Sequence, residues 1–119
     1  MKLGELAQSI GARVLAAGSA GEMKVARVCA ADRMSDLLSE SADHTLLVTN
    51  IANKSLARLM ELMDVPGICL LNNVEPDPEV VEAARACGAV LMVSADGMFE
   101  TCGRLYQALH PREPERTGA

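Results

Sequence analysis

HTLLVTNIANKSLARLMELMDVPGICLLNN, residues 44 to 73, holds the pattern from which the fold can be read. Its two ends are continuous apolar runs, LLV and ICLL, each short enough for a strand and each closed by polar residues. Between them Leu56, Leu59, Met60 and Met63 recur at i, i+3, i+4 and i+7, the stripe of an amphipathic helix. Strands apolar on both sides, joined by such a helix, make a parallel βαβ unit with its sheet covered above and below.

The pattern extends in both directions. Downstream, a helix opens with Asp77 as N-cap, Pro78 at its first position and Glu79 in its first turn, and it stops at Gly88. AVLMVSAD, residues 89 to 96, is a further strand, and Met98, Cys102, Leu105 and Leu109 share one face of a last helix that Pro111 ends. Upstream, ARVLAAG and VARVCAAD are short β-compatible runs separated by GSAGEMK, and this spacing predicts a hairpin. Leu3, Leu6, Ala7 and Ile10 mark an opening helix over residues 2 to 10, with Gly11 as its stop. The sum is an α/β protein: a single-domain three-layer α/β sandwich with a mostly parallel sheet of about five strands. The domain is expected over residues 1–110, and the charged, Pro-containing PREPERTGA, residues 111–119, is expected to be a disordered tail.

Composition narrows the function. The 119 residues suit one domain that buries about two-thirds of its unfolded surface. Half are apolar, yet there is one Phe, one Tyr and no Trp, so the core is aliphatic and base-stacking on nucleic acid is disfavoured. Eleven basic residues scattered among sixteen acids, for a net charge of −5, argue against nucleic acid or an anionic membrane as partner. The N-terminal MKLGELAQSIGARVL carries Glu5 and Gln8 within its apolar pattern and reads as a helix rather than a signal peptide. No segment approaches the roughly 20 apolar residues of a membrane span. A soluble, cytoplasmic protein is expected.

Cys29, Cys69, Cys87 and Cys102 lie far apart in the chain, without a CxxC or a nearby His pair, so no metal site is expected. Each sits in an apolar run or stripe, where a free thiol acts as a small core hydrophobe. His44 begins a strand and His110 ends a helix, and neither GxxxxGK[ST] nor GxGxxG occurs. These patterns call for no catalytic residues and no cofactor.

Chemistry is concentrated instead at the strand ends. VCAA runs into Asp32 and Arg33, with Ser35 just beyond; LLVT ends at Thr49 and Asn50; ICLL leads to Asn72 and Asn73; LMV leads to Ser94 and Asp96. In a parallel sheet these ends share one edge, where open α/β folds bind ligands and where helix N-termini offer free amides. The same residue types also cap helices and form turns, the local alternative for Ser35, Asp36, Asn53, Asp77 and Asp96. Arg33 could orient a carboxylate or phosphate, or pair with Asp32 at the surface.

The order KLGELAQSIGARVLAAG, VARVCAADRMSDLL, LLVTNIANKSLARLM and GICLLNNVEPDPEVVEAARACGAVLMVSADGMFETCGRLYQAL resembles the DRTGG domain family over nearly the whole chain. MSDLL, the strand ending in VT, VEPDPEVVEAARACG and FETCGRLYQAL carry the likeness. The sequence departs from the naming pattern: TNIANKS stands where many members have Gly-Asp-Arg, and LNN, residues 71 to 73, where they have Thr-Gly-Gly. It looks more like stand-alone members found near iron-only hydrogenase genes than like copies fused to CBS domains. LGELAQSIGARVLAAG is also similar to the N-terminal domains of Mur ligases and of HPr kinase/phosphorylase. The resemblance implies an accessory module, regulatory or dimerising.

The leading expectation is a non-catalytic regulatory homodimer that senses a small ligand, such as a nucleotide, or docks on a partner enzyme. Asp32, Arg33, Ser35, Thr49, Asn50, Asn72, Asn73, Ser94 and Asp96 are its expected ligand-binding residues. Two alternatives remain: a redox or metal accessory protein of hydrogenase-type metabolism using its cysteines, and a small enzyme using Asp32, Arg33 or Asp96.

Overall fold

The apolar runs form strands buried on both faces: every residue of β3 (Thr45–Thr49), β4 (Gly67–Leu70) and β5 (Val90–Val93) is inaccessible. This computed structural model describes residues 1–111, so the expected tail lies, from residue 112 onward, outside the described residues. β2 (Arg27–Ala30) runs parallel beside β3, pairing Arg27 with Thr45 and Ala30 with Val48, and β3, β4 and β5 continue the parallel array. β1 (Arg13–Ala17) adds to β5 in the opposite sense, giving five strands in the order β1-β5-β4-β3-β2.

Strand alternation sorts the core into two layers. Leu47, Ile68, Leu70, Leu91 and Val93 face α2 (Met34–Glu40), α3 (Lys54–Leu62) and α4 (Pro78–Cys87). Leu46, Val48, Cys69, Val90 and Met92 face α1 (Leu3–Ser9) and α5 (Met98–Leu109). The three-layer α/β sandwich is therefore the observed architecture. Each fully buried Leu or Ile contributes roughly 1.5–3 kcal/mol, and no aromatic residue belongs to either layer.

One expectation fails. β1 and β2 form no hairpin; they lie at opposite edges of the sheet. The connection between them makes a 3-10 turn, Ser19–Glu22, in which the Ala20 N–H donates to the Gly88 carbonyl at 3.1 Å. Gly18 presses so closely on the backbone of Gly88 that a Cβ there would overlap it. Gly88 itself ends α4 in the left-handed region at φ 76°. The N-terminal segment is thus tied to the end of α4, which delivers β1 to β5 rather than to β2.

The thiols also divide. Cys69 is fully buried and Cys29 and Cys102 are partly buried, but Cys87 is exposed at the end of α4, contrary to the core role expected for it. The helix stripe carrying Leu56, Leu59 and Met60 is buried as its spacing requires, whereas Met63 is only partly covered.

Candidate functional site

Because β2 to β5 are parallel, the turns after them open on one sheet edge, together with the N-termini of α2, α3, α4 and α5. Along it runs a chain of polar contacts. Asn50 donates from its backbone N–H to Asp32 Oδ1 at 3.0 Å and from its side-chain amide to Asp32 Oδ2 at 3.3 Å. Asn72 Nδ2 donates in turn to Asn50 Oδ1 at 3.0 Å. One carboxylate and two amides, all exposed, thereby join the ends of β2, β3 and β4.

The other strand-end residues play different parts. Thr49 is buried, its hydroxyl accepting the Ile51 N–H at 3.1 Å, so it builds the turn. Ser94 is buried too: its Oγ shares a 2.8 Å hydrogen bond with Thr101 Oγ1 and accepts the Asp96 N–H at 3.1 Å. Asp96 pairs with Arg104 at 3.3 Å, and Arg104 also reaches the Ile10 carbonyl at 3.3 Å. Ser35 lies exposed in the first turn of α2. Arg33 is the exposed, extended residue before that helix, and among the described residues no ion pair joins it to Asp32. Of the capping alternatives, Asn53 does cap α3, its side chain accepting the Ser55 N–H at 3.0 Å, while the Asp77 side chain makes no cap hydrogen bond.

A crevice in such folds opens where neighbouring strands send their loops to opposite faces. Here that place lies between β4, whose chain continues into α4, and β5, whose chain continues into α5 on the other face. It is bridged. The Asn72 N–H donates to the Asp96 carbonyl at 2.9 Å and the Asn73 N–H to the Ser94 carbonyl at 2.8 Å. Both asparagines occupy the left-handed region, at φ 56° and 53°. Asn tolerates this region better than most residues with a Cβ, which accounts physically for Asn-Asn where the resembled pattern has Gly-Gly.

Sequence reasoning missed Arg13. As the first residue of an antiparallel strand it stands opposite Val93, at the same edge as the ends of the parallel strands. Its guanidinium lies 3.5 Å from both Asn73 Oδ1 and Glu75 Oε1. A basic residue before a strand gives no signal unless that strand's direction is known. With Arg13 and Arg33 present, the edge can meet an anionic group as well as hydrogen-bond a polar one.

Asp32 and Asp96 do not converge. They follow β2 and β5, three strand spacings apart, or about 14 Å at the usual spacing. A shared acid and base pair is not formed by them. Three of the four thiols, Cys29, Cys69 and Cys102, are held toward the neutral form. Burial pushes Cys69 up to about 12, with Cys102 nearby adding to the effect, and burial also raises Cys29 and Cys102. The thiolate, the form that binds metal and attacks, is disfavoured at each. Among the described residues no three His, Cys, Asp or Glu side chains are grouped to hold a metal ion.

The chain is similar to the crystal structure of the CBS and DRTGG domains of the regulatory region of Clostridium perfringens pyrophosphatase, complexed with the activator diadenosine tetraphosphate. The TM-score is 0.70 at 16% identity, over 90% of this chain. The fold is DRTGG-like. This chain spans 46% of that regulatory region, slightly under half. No family model and no curated protein matches the sequence, so the DRTGG-like character rests on the arrangement of elements rather than on side-chain identity. No helix among the described residues is long and apolar enough to cross a membrane.

Proposed function

We propose that this DRTGG-like chain is a non-catalytic, cytoplasmic regulatory module, homodimeric, that senses a small anionic ligand at the edge where its parallel strands end. A nucleotide is the favoured ligand class. One observation carries the reading: the network Asp32–Asn50–Asn72 spans three strand ends and is flanked on the same edge by Arg13 and Arg33. Exposed carboxamides present both donors and acceptors, as a nucleobase or ribose requires, and guanidinium groups suit phosphate. The similarity to a regulatory region crystallised with a nucleotide activator supports this choice.

A thermal-shift titration with a nucleotide panel that includes diadenosine tetraphosphate tests it. At a hundred times its dissociation constant a ligand adds about 2.7 kcal/mol, a rise in Tm on the order of 10 °C for a domain of this size. A flat Tm across the panel rejects nucleotide sensing.

A further inference from the structure

The outer face of α5 has an unusual makeup. Phe99, Gly103, Tyr106 and His110 recur at i, i+4, i+7 and i+11 and are all exposed, so the only Phe and the only Tyr of the chain stand in solvent on one stripe. Phe99 is 84% exposed and Tyr106 65%. Between them Gly103 lies within a regular helix where a Cβ would meet nothing within 4 Å. Glycine there costs roughly 0.5–1 kcal/mol against alanine, and among the described residues nothing packed on it explains its use. What glycine does provide is a flat spot on which another backbone can lie close.

Beside the stripe runs a groove of about 440 Å³ between α5 and the edge strand β2, lined by Val28, Leu105, Tyr106 and Leu109 and flanked by Arg27 and His110. Tyr106 and His110 stack with ring centroids 4.4 Å apart, forming one wall. The protomer therefore carries a projecting aromatic ring four residues before Gly103 and an apolar recess three to seven residues after it.

We infer that α5 is the homodimer interface, with two copies crossing antiparallel at Gly103 so that Phe99 of each enters the groove between α5 and β2 of the other. This rests on the homodimeric part of the function proposed above and adds the surface. An antiparallel crossing at residue 103 sets Phe99 level with the partner's residue 107, beside the partner's Tyr106 and His110. The relation is reciprocal, as a two-fold contact demands. Charge is compatible with shape: exposed Glu100 follows Phe99 directly, and the groove it approaches is flanked by His110 and by Arg27, whose guanidinium also holds Glu40 at 2.7 Å. A polar partner helix would leave both the recess and Phe99 unmatched, whereas a second copy matches each with the other.

Sedimentation equilibrium of the full chain tests this with Phe99→Ser and Gly103→Leu. Neither position belongs to the packed face of α5, and an unchanged far-UV spectrum verifies the fold of each variant. Each is expected to weaken the dimer at least about tenfold, since buried aromatic anchors dominate such contacts. In a Cys87→Ser background, Gly103→Cys is expected to give a disulfide-linked dimer on mild oxidation. A wild-type dimer whose dissociation constant neither variant changes overturns this interface while leaving homodimerisation intact. A wild-type chain that sediments as a monomer at every concentration overturns both.

Discussion

The Asp32 carboxylate holds Asn50 by two hydrogen bonds, one to its backbone N–H at 3.0 Å and one to its side-chain amide at 3.3 Å, and so ties the turn after β2 to the turn after β3. The pair is exposed, so water competes for it. Asp32→Ala is expected to lower stability by about 1 kcal/mol in urea unfolding, below the range for buried charged hydrogen bonds. It also frees Asn50 to move away from Asn72, and ligand-induced stabilisation should shrink with it. A loss under a few tenths of a kcal/mol would show that this contact fixes neither turn.

Arg33 provides the contrasting case. Exposed and bound by no ion pair among the described residues, it has little to lose on truncation, and Arg33→Ala should leave stability within about 0.5 kcal/mol of wild type. The Tm rise produced by a phosphate-bearing ligand should fall by at least half. Arg33→Lys, which keeps charge but loses the planar fork, should restore part of it. An undiminished rise in Arg33→Ala would leave Arg13 as the anion-binding group.

The parallel array was legible because each strand is a continuous apolar run and each connecting helix carries its own stripe, so local periodicity and tertiary burial agree. The position of β1 was not. Its pairing with β5 joins residues 73 to 80 apart in the chain, and no local pattern in ARVLAAG names that partner. GSAGEMK looked like a hairpin turn; the contact of Gly18 with Gly88, visible only in three dimensions, makes it a crossing instead. The same fact explains the candidate site. Residues following parallel strands could be assigned to one edge, whereas Arg13 precedes a strand whose direction the sequence did not disclose. Thr49 and Ser94 lie at the strand ends, as their place in the pattern predicts, yet their hydroxyls are consumed by the turns they stabilise. Position along a strand is readable from pattern; the partner of a hydroxyl is not.

Gly18 and Gly11 separate two uses of glycine. At Gly18 a Cβ would overlap the backbone of Gly88, which cannot rotate away, so Gly18→Ala should cost about 2–3 kcal/mol, the upper range for overpacking. At Gly11 a Cβ meets nothing, and only the φ of 66° opposes it, so Gly11→Ala should cost about 1 kcal/mol. Denaturant unfolding of both variants checks the order. Equal losses would mean that the 3-10 turn yields easily and does not hold β1 in place.

Cys69 gives a pH dependence with a definite sign. Its thiol is held neutral in the folded chain, with a value of about 12 against 9.0 for an ordinary thiol, because ionising it would place a charge in the layer between β4 and α5. A folded-state value above the unfolded one means that the stability it contributes is complete below pH 9 and declines as pH rises toward 12. The decline from this group is up to about 1.4 kcal/mol per pH unit in that window. Cys69→Ala removes the titrating group at the expense of a small cavity, so wild type should be the more stable at pH 8 and its margin should narrow by about 1 kcal/mol or more at pH 10. Urea midpoints of the two proteins at both pH values measure the margin. A constant margin would mean that water or a neighbouring donor stabilises the thiolate, and that the layer beneath α5 is less dry than its aliphatic lining requires.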